Sequence, residues 1–72
     1  MTSERLVTAL RAVPFRPFLI RLASGRELPV LRPEFLAHNG TSRTAIVADA
    51  EGEGWEVVDL LLVVGLLFDD ER

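Results

Sequence analysis

Phe18-Leu19-Ile20-Arg21-Leu22-Ala23-Ser24-Gly25-Arg26-Glu27-Leu28-Pro29-Val30 reads as two strands joined by a tight turn. Phe18, Ile20 and Leu22 fall on one face and Leu19, Arg21 and Ala23 on the other, the period of two that a half-buried strand requires. Leu28 and Val30 continue an alternation beyond Ser24-Gly25. Register separates two turns. A two-residue loop at Ser24-Gly25 sets Leu22 opposite Glu27 and puts the apolar residues out of phase. A three-residue loop, Ala23-Ser24-Gly25, pairs Leu22 with Arg26, Ile20 with Leu28 and Phe18 with Val30, with Gly25 left-handed as a bulge. That register keeps one apolar face and puts glycine where a positive φ is needed, so it is the one predicted. Pro29 removes a ladder donor and marks an exposed edge on part of the second strand.

Upstream, residues 4–12 read as a short helix. Ser3 is the expected cap, Glu4 suits the positive end, and Leu6, Leu10 and Val13 recur at helical spacing, widened by Val7. Pro14 stops the helix, and Pro14-Phe15-Arg16-Pro17 leads stiffly into the first strand. Downstream, Pro33-Glu34-Phe35-Leu36-Ala37 reads as a single helical turn with proline at its first position, ended near Asn39-Gly40. Thr41-Ser42-Arg43 reads as a loop and Thr44 to Asp49 as a third strand. A glycine-rich turn, Glu51-Gly52-Glu53-Gly54, then leads to a fourth strand, Trp55 to Asp59. Asp59 is a candidate cap for a short turn over Leu60-Leu61, with Leu62 to Phe68 as the last strand. A helix over 60–68 competes, opposed by Gly65 and the valines at 63 and 64. The acidic tail, 69–72, reads as solvated.

No repeat, linker or low-complexity tract interrupts the 72 residues, so a single domain is expected. The fold class read from element order is mainly β: a small SH3-like or Sm-like barrel with an N-terminal helix and about five short strands, an analogy that carries no function. At this size a core is small, and self-association, disulfides or metal are the usual supplements. With no cysteine, disulfides, thiolate metal sites and cysteine catalysis are excluded, and His38 is the single histidine. The 49% apolar fraction points towards burial between subunits. The longest uncharged apolar run, Leu60 to Phe68, is far short of the roughly 20 residues of a spanning helix. No secretory signal is visible and a cytoplasmic location is expected.

Charge is unevenly distributed. Residues 1–43 carry seven arginines against three glutamates, a balance of +4, and residues 44–72 carry Arg72 against four aspartates and four glutamates, a balance of −7. Pairing of the two halves, within one fold or between copies, is the expectation.

Pro14-Phe15-Arg16-Pro17-Phe18, then Ile20, Leu22, Gly25-Arg26, Val30, Pro33-Glu34-Phe35 and Val58-Asp59-Leu60, resemble a set of short uncharacterised bacterial proteins with a PFRPF-type opening, a Gly-Arg turn and a Pro-Glu-Phe step. The resemblance covers roughly residues 10–64. It implies a single small domain and assigns no catalytic residue.

Candidate sites are few. Asp49-Ala50-Glu51-Gly52-Glu53-Gly54 imitates the first half of a calcium loop, but position twelve is Leu60 instead of glutamate and the flanks read as strands, so an exposed turn and no metal are expected. His38 is expected to cap a turn. Ser24, Thr41, Ser42 and Thr44 have ordinary turn or strand roles. Glu51/Glu53 and Asp69/Asp70 lack the cleft that acid–base chemistry needs, and Gly52 and Gly54 form no phosphate cradle. A hydrolase is the weakest reading, and no cofactor is expected. Arg16, Arg21, Arg26, Arg32 and Arg43, with Phe15, are candidate RNA contacts, or equally ion-pair partners for Asp49, Glu56 and Asp59. Trp55 reads as a core or interface anchor. Leu19, Val47 and parts of 60–68 still need cover after the inner face is filled. The functional expectation is a non-enzymatic self-associating or protein-binding module, most simply a homodimer with the last strand or the Pro29 edge near its axis. Weak binding of nucleic acid through the arginine-rich half is the alternative, and no membrane partner is expected.

Overall fold

The computed structural model describes residues 2–38, 43–49, 51 and 53–68. Helix α1 (Ser3–Leu10) precedes strands β1 (Phe18–Leu22) and β2 (Glu27–Val30), a 3-10 turn (Pro33–Phe35), and strands β3 (Leu36–Ala37), β4 (Thr44–Ala48) and β5 (Trp55–Asp59). A second 3-10 turn (Leu60–Leu62) leads into β6 (Val63–Phe68). The fold is mainly β, in two three-stranded antiparallel sheets ordered β2-β1-β6 and β3-β4-β5. The chain crosses from the first sheet to the second between β2 and β3, and returns through the turn at Leu60–Leu62.

The β1–β2 hairpin takes the three-residue loop. Phe18 faces Val30, Ile20 faces Leu28, and the Leu22 N–H donates to the Arg26 carbonyl at 2.9 Å. Gly25 has φ 94°, the left-handed conformation that glycine adopts without penalty. The inner residues Phe18, Ile20, Leu22 and Val30 are buried with Leu36, Ala45, Val47, Val58, Leu60 and Val63. β2 is an edge strand, with Pro29 opposite Leu19 and both half-buried. β6 pairs with the other side of β1, and a bulge leaves Val64 without a cross-strand partner. This disposes of the competing helix over 60–68.

Several expectations are corrected. Thr2, not Ser3, caps α1, its hydroxyl accepting from the Arg5 N–H at 3.4 Å. The helix closes at Leu10, where the Arg11 N–H bonds to the Val7 carbonyl. Val13 therefore lies beyond the helical phase and is 96% exposed, while Leu6 (0% exposed) and Ala9 anchor the helix to the core. The turn at Pro33 stops at Phe35, because Leu36 and Ala37 are drawn into a short strand opposite Val47 and Ile46. That addition gives six strands in place of about five. Val47 needs no outside cover, being buried between the sheets, and β4 ends at Ala48, one residue short of Asp49. The end expected at Asn39-Gly40, Thr41-Ser42 of the loop, Ala50 and Gly52 of the glycine turn, and the acidic tail lie outside the described residues.

The PFRPF stretch has a packing role. The Phe15 and Phe68 rings flank Phe18 at centroid distances of 6.0 and 5.5 Å, and the Arg16 guanidinium lies 4.7 Å from the centre of the Phe68 ring. Tilted ring pairs and an arginine over a ring face are both favourable arrangements. They fasten the segment that follows α1 to the end of the first sheet.

Candidate interaction surface

Alternation along β5 separates two kinds of residue. Val58 enters the core and Glu56 is half-buried, whereas Trp55 and Val57 are 62% and 68% exposed. Trp55 is thus not a core residue. Ile46, directly opposite Val57 on β4, is exposed as well, so the outer face of the second sheet carries three large apolar side chains. Immediately after β5, the Asp59 carboxylate caps the turn as expected, accepting from the Leu61 N–H at 2.9 Å. The turn buries Leu60 and sends Leu61 (67% exposed) and Leu62 into solvent.

The ladder also fixes where the backbone groups of β5 point. The Asp49 N–H donates to the Gly54 carbonyl at 2.9 Å and the Leu60 N–H to the Arg43 carbonyl at 2.6 Å. In an antiparallel pair, hydrogen-bonded and non-hydrogen-bonded positions alternate. With the register Ala45 to Val58 and Val47 to Glu56, residues 54, 56, 58 and 60 bond towards β4. Trp55, Val57 and Asp59 therefore present their N–H and C=O groups to the opposite side, where no strand lies among the described residues. A groove of about 260 Å³ runs beside that edge, lined by Ala23, Arg26, Val57 and Leu62 among others.

Four of the arginines expected to form an interaction surface have partners within the fold. Arg26 makes a bidentate contact with Glu56, at 2.7 Å from each terminal nitrogen, tying the β1–β2 turn to β5. Arg43 lies 3.4 Å from Asp59, and Arg21 binds Glu27 at 2.8 Å. The first two pairs join the basic and acidic halves of the sequence, as expected of Glu56 and Asp59. Asp49 instead accepts the Glu53 N–H at 2.8 Å within its own turn. Arg16 lies over Phe68, and Arg32 is exposed before Pro33.

Hydrogen bonds from Arg26, and to a lesser degree its positive charge, hold the Glu56 carboxyl below the usual glutamate range, against a smaller desolvation effect in the opposite direction that outweighs the charge alone. A carboxyl with a depressed folded-state pKa adds stability above its unfolded pKa and loses that contribution as pH falls through the folded value. Carbon-detected NMR titration should place Glu56 below the usual glutamate range, and Arg26→Met should raise it back towards that range. An unchanged Glu56 titration in the variant would exclude the pairing.

His38 is half-buried and shares a groove with Val7, Leu10 and Arg11 of the α1 region. Among the described residues no group of three metal-ligating side chains forms, and no helix is long and apolar enough to cross a membrane.

Sequence reasoning singled out Trp55 but passed over Ile46 and Val57. The alternation from Trp55 to Asp59 held the signal for Val57, since it must share a face with Trp55. No protein-family model, curated protein or solved structure matches the chain.

Proposed function

We propose that the chain is a non-enzymatic self-associating module whose partner is a second copy of itself. The observation that carries this reading is the group of exposed Ile46, Trp55, Val57, Leu61 and Leu62 along and just after β5. A soluble protein gains by covering contiguous apolar surface of that kind, and a two-fold dimer is the commonest closed way to do so. The architecture is read as a small barrel of the SH3-like or Sm-like kind. Support comes from β6 returning to β1, from the one-turn helix before β6, and from the chain passing from one sheet to the other between β2 and β3.

Binding of nucleic acid is less well supported, because Arg21, Arg26 and Arg43 are engaged with carboxylates and Arg16 with Phe68. Light scattering across micromolar concentrations should give a mass near twice the 8.0 kDa chain mass. A mass that stays at 8.0 kDa at every concentration overturns self-association. Salt-sensitive retention of that monomer on single-stranded RNA would transfer support to the arginine-rich half.

A further inference from the structure

We infer that two copies join edge to edge through β5, antiparallel about a two-fold axis at Val57, so that their second sheets become one continuous sheet. The inference rests on the self-association reading and names the contact that performs it.

The edges of the two sheets are not equivalent. β2 carries Pro29 and a charged Glu27, β3 has two residues, and β6 is interrupted by the bulge at Val64. Proline, charge, shortness and bulges are the devices that stop strands from adding to an edge. β5 has five residues with neither proline nor bulge, its Glu56 and Asp59 charges are paired with Arg26 and Arg43 of the same chain, and Trp55, Val57 and Asp59 direct their backbone groups away from β4. The groove beside Val57 separates β5 from Ala23, Ser24, Arg26 and Leu62, and it is there that an added strand enters.

The strand is also complementary to itself. Centred on Val57, an antiparallel pairing sets Val57 against Val57 and Trp55 against Asp59, and all three outward-pointing residues of each copy are used. Each hydrogen-bonded pair exchanges two bonds, giving about six in all. Glu56 then lies opposite Val58, so no like charges meet directly, and the Glu56 charge is already held by Arg26. Centring on Glu56 would place two carboxylates face to face, which is destabilising. Centring on Val58 would leave Trp55 unused.

The same geometry recruits the neighbouring apolar residues. Asp59 of one copy lies level with Trp55 of the other, and the turn that follows carries exposed Leu61 and Leu62 past that indole. A stable dimer takes about 800 Å² from each partner, more than a short strand supplies alone. The exposed leucines provide the extension. A second copy fits better than an unrelated strand because one edge supplies both sides of this register.

The test combines light scattering with amide exchange measured by NMR. Val57→Pro removes an N–H that β4 does not use, so it should give a folded monomer at concentrations where wild type is dimeric. Val57→Thr keeps that N–H and should remain dimeric. Raising the wild-type concentration through the dimerisation range should slow exchange of the Trp55, Val57 and Asp59 amides by about tenfold or more. A dimeric wild type whose three amides exchange at the same rate at all concentrations overturns the β5 contact and leaves self-association standing. A wild type that is monomeric throughout overturns both. Should the proline variant not fold, the amide exchange of wild type decides alone.

Discussion

Leu6→Ala is expected to destabilise the domain by about 2–5 kcal/mol, the range for emptying a fully buried leucine site. Leu6 is 0% exposed and is, with Ala9, one of the two residues by which α1 enters the core. The truncation removes apolar contact from one side of a small core and leaves a cavity there. A core of this size supplies only about 3–5 kcal/mol in total. Thermal unfolding followed by circular dichroism should therefore show a fall in Tm on the order of 10 °C or more, or no cooperative transition. Val13→Ala is the matched control. Its side chain is 96% exposed, so the variant should stay within about 0.5 kcal/mol of wild type. A Leu6→Ala loss below about 1 kcal/mol would mean that α1 is not anchored as described.

Gly25→Val should cost about 1–3 kcal/mol, for a different reason. A Cβ built at Gly25 meets no atom within 4 Å, so collision is not involved. The cost is conformational: φ is 94°, where a β-branched side chain is strained. The backbone there must hold that angle to keep Leu22 opposite Arg26 and the apolar face in phase. Gly25→Asn should retain much more stability, since asparagine tolerates left-handed backbone better than valine. Urea denaturation of the two variants checks the order. Equal loss in both, or none in valine, would rule out strain as the reason for glycine.

The hairpin was legible because its determinants are local. One glycine and the phase of Phe18, Ile20, Leu22, Leu28 and Val30 admit one satisfactory register, and that register is present. Asp59 as the cap of the following turn was legible for the same reason. Errors arose where a distant strand decided the outcome. Leu36 and Ala37 continue a helical turn on local evidence, but Val47 and Ile46 offer ladder partners that draw them into β3. Val13 continues a spacing of three and four, but Pro14 ends the usable helix before it. For the interaction surface, Trp55 stood out as the single tryptophan, whereas the free edge of β5 was out of reach. Which backbone groups are left over depends on which strand lies beside which, and on hydrogen bonds at Asp49 and Leu60 that fix the alternation.

The pairing of β6 with β1 carries a consequence for how the domain is made. Phe18 and Leu22 meet Phe68 and Val63 across about forty to fifty residues of intervening chain, a closure that costs entropy before it gains contacts. During synthesis β1 and β2 leave the ribosome early and can form their hairpin. The far side of β1 must wait for β6, which emerges only after the whole second sheet. Any state in which the second sheet has formed ahead of β6 displays the unpaired flank of β1, a sticky edge that lasts until β6 returns.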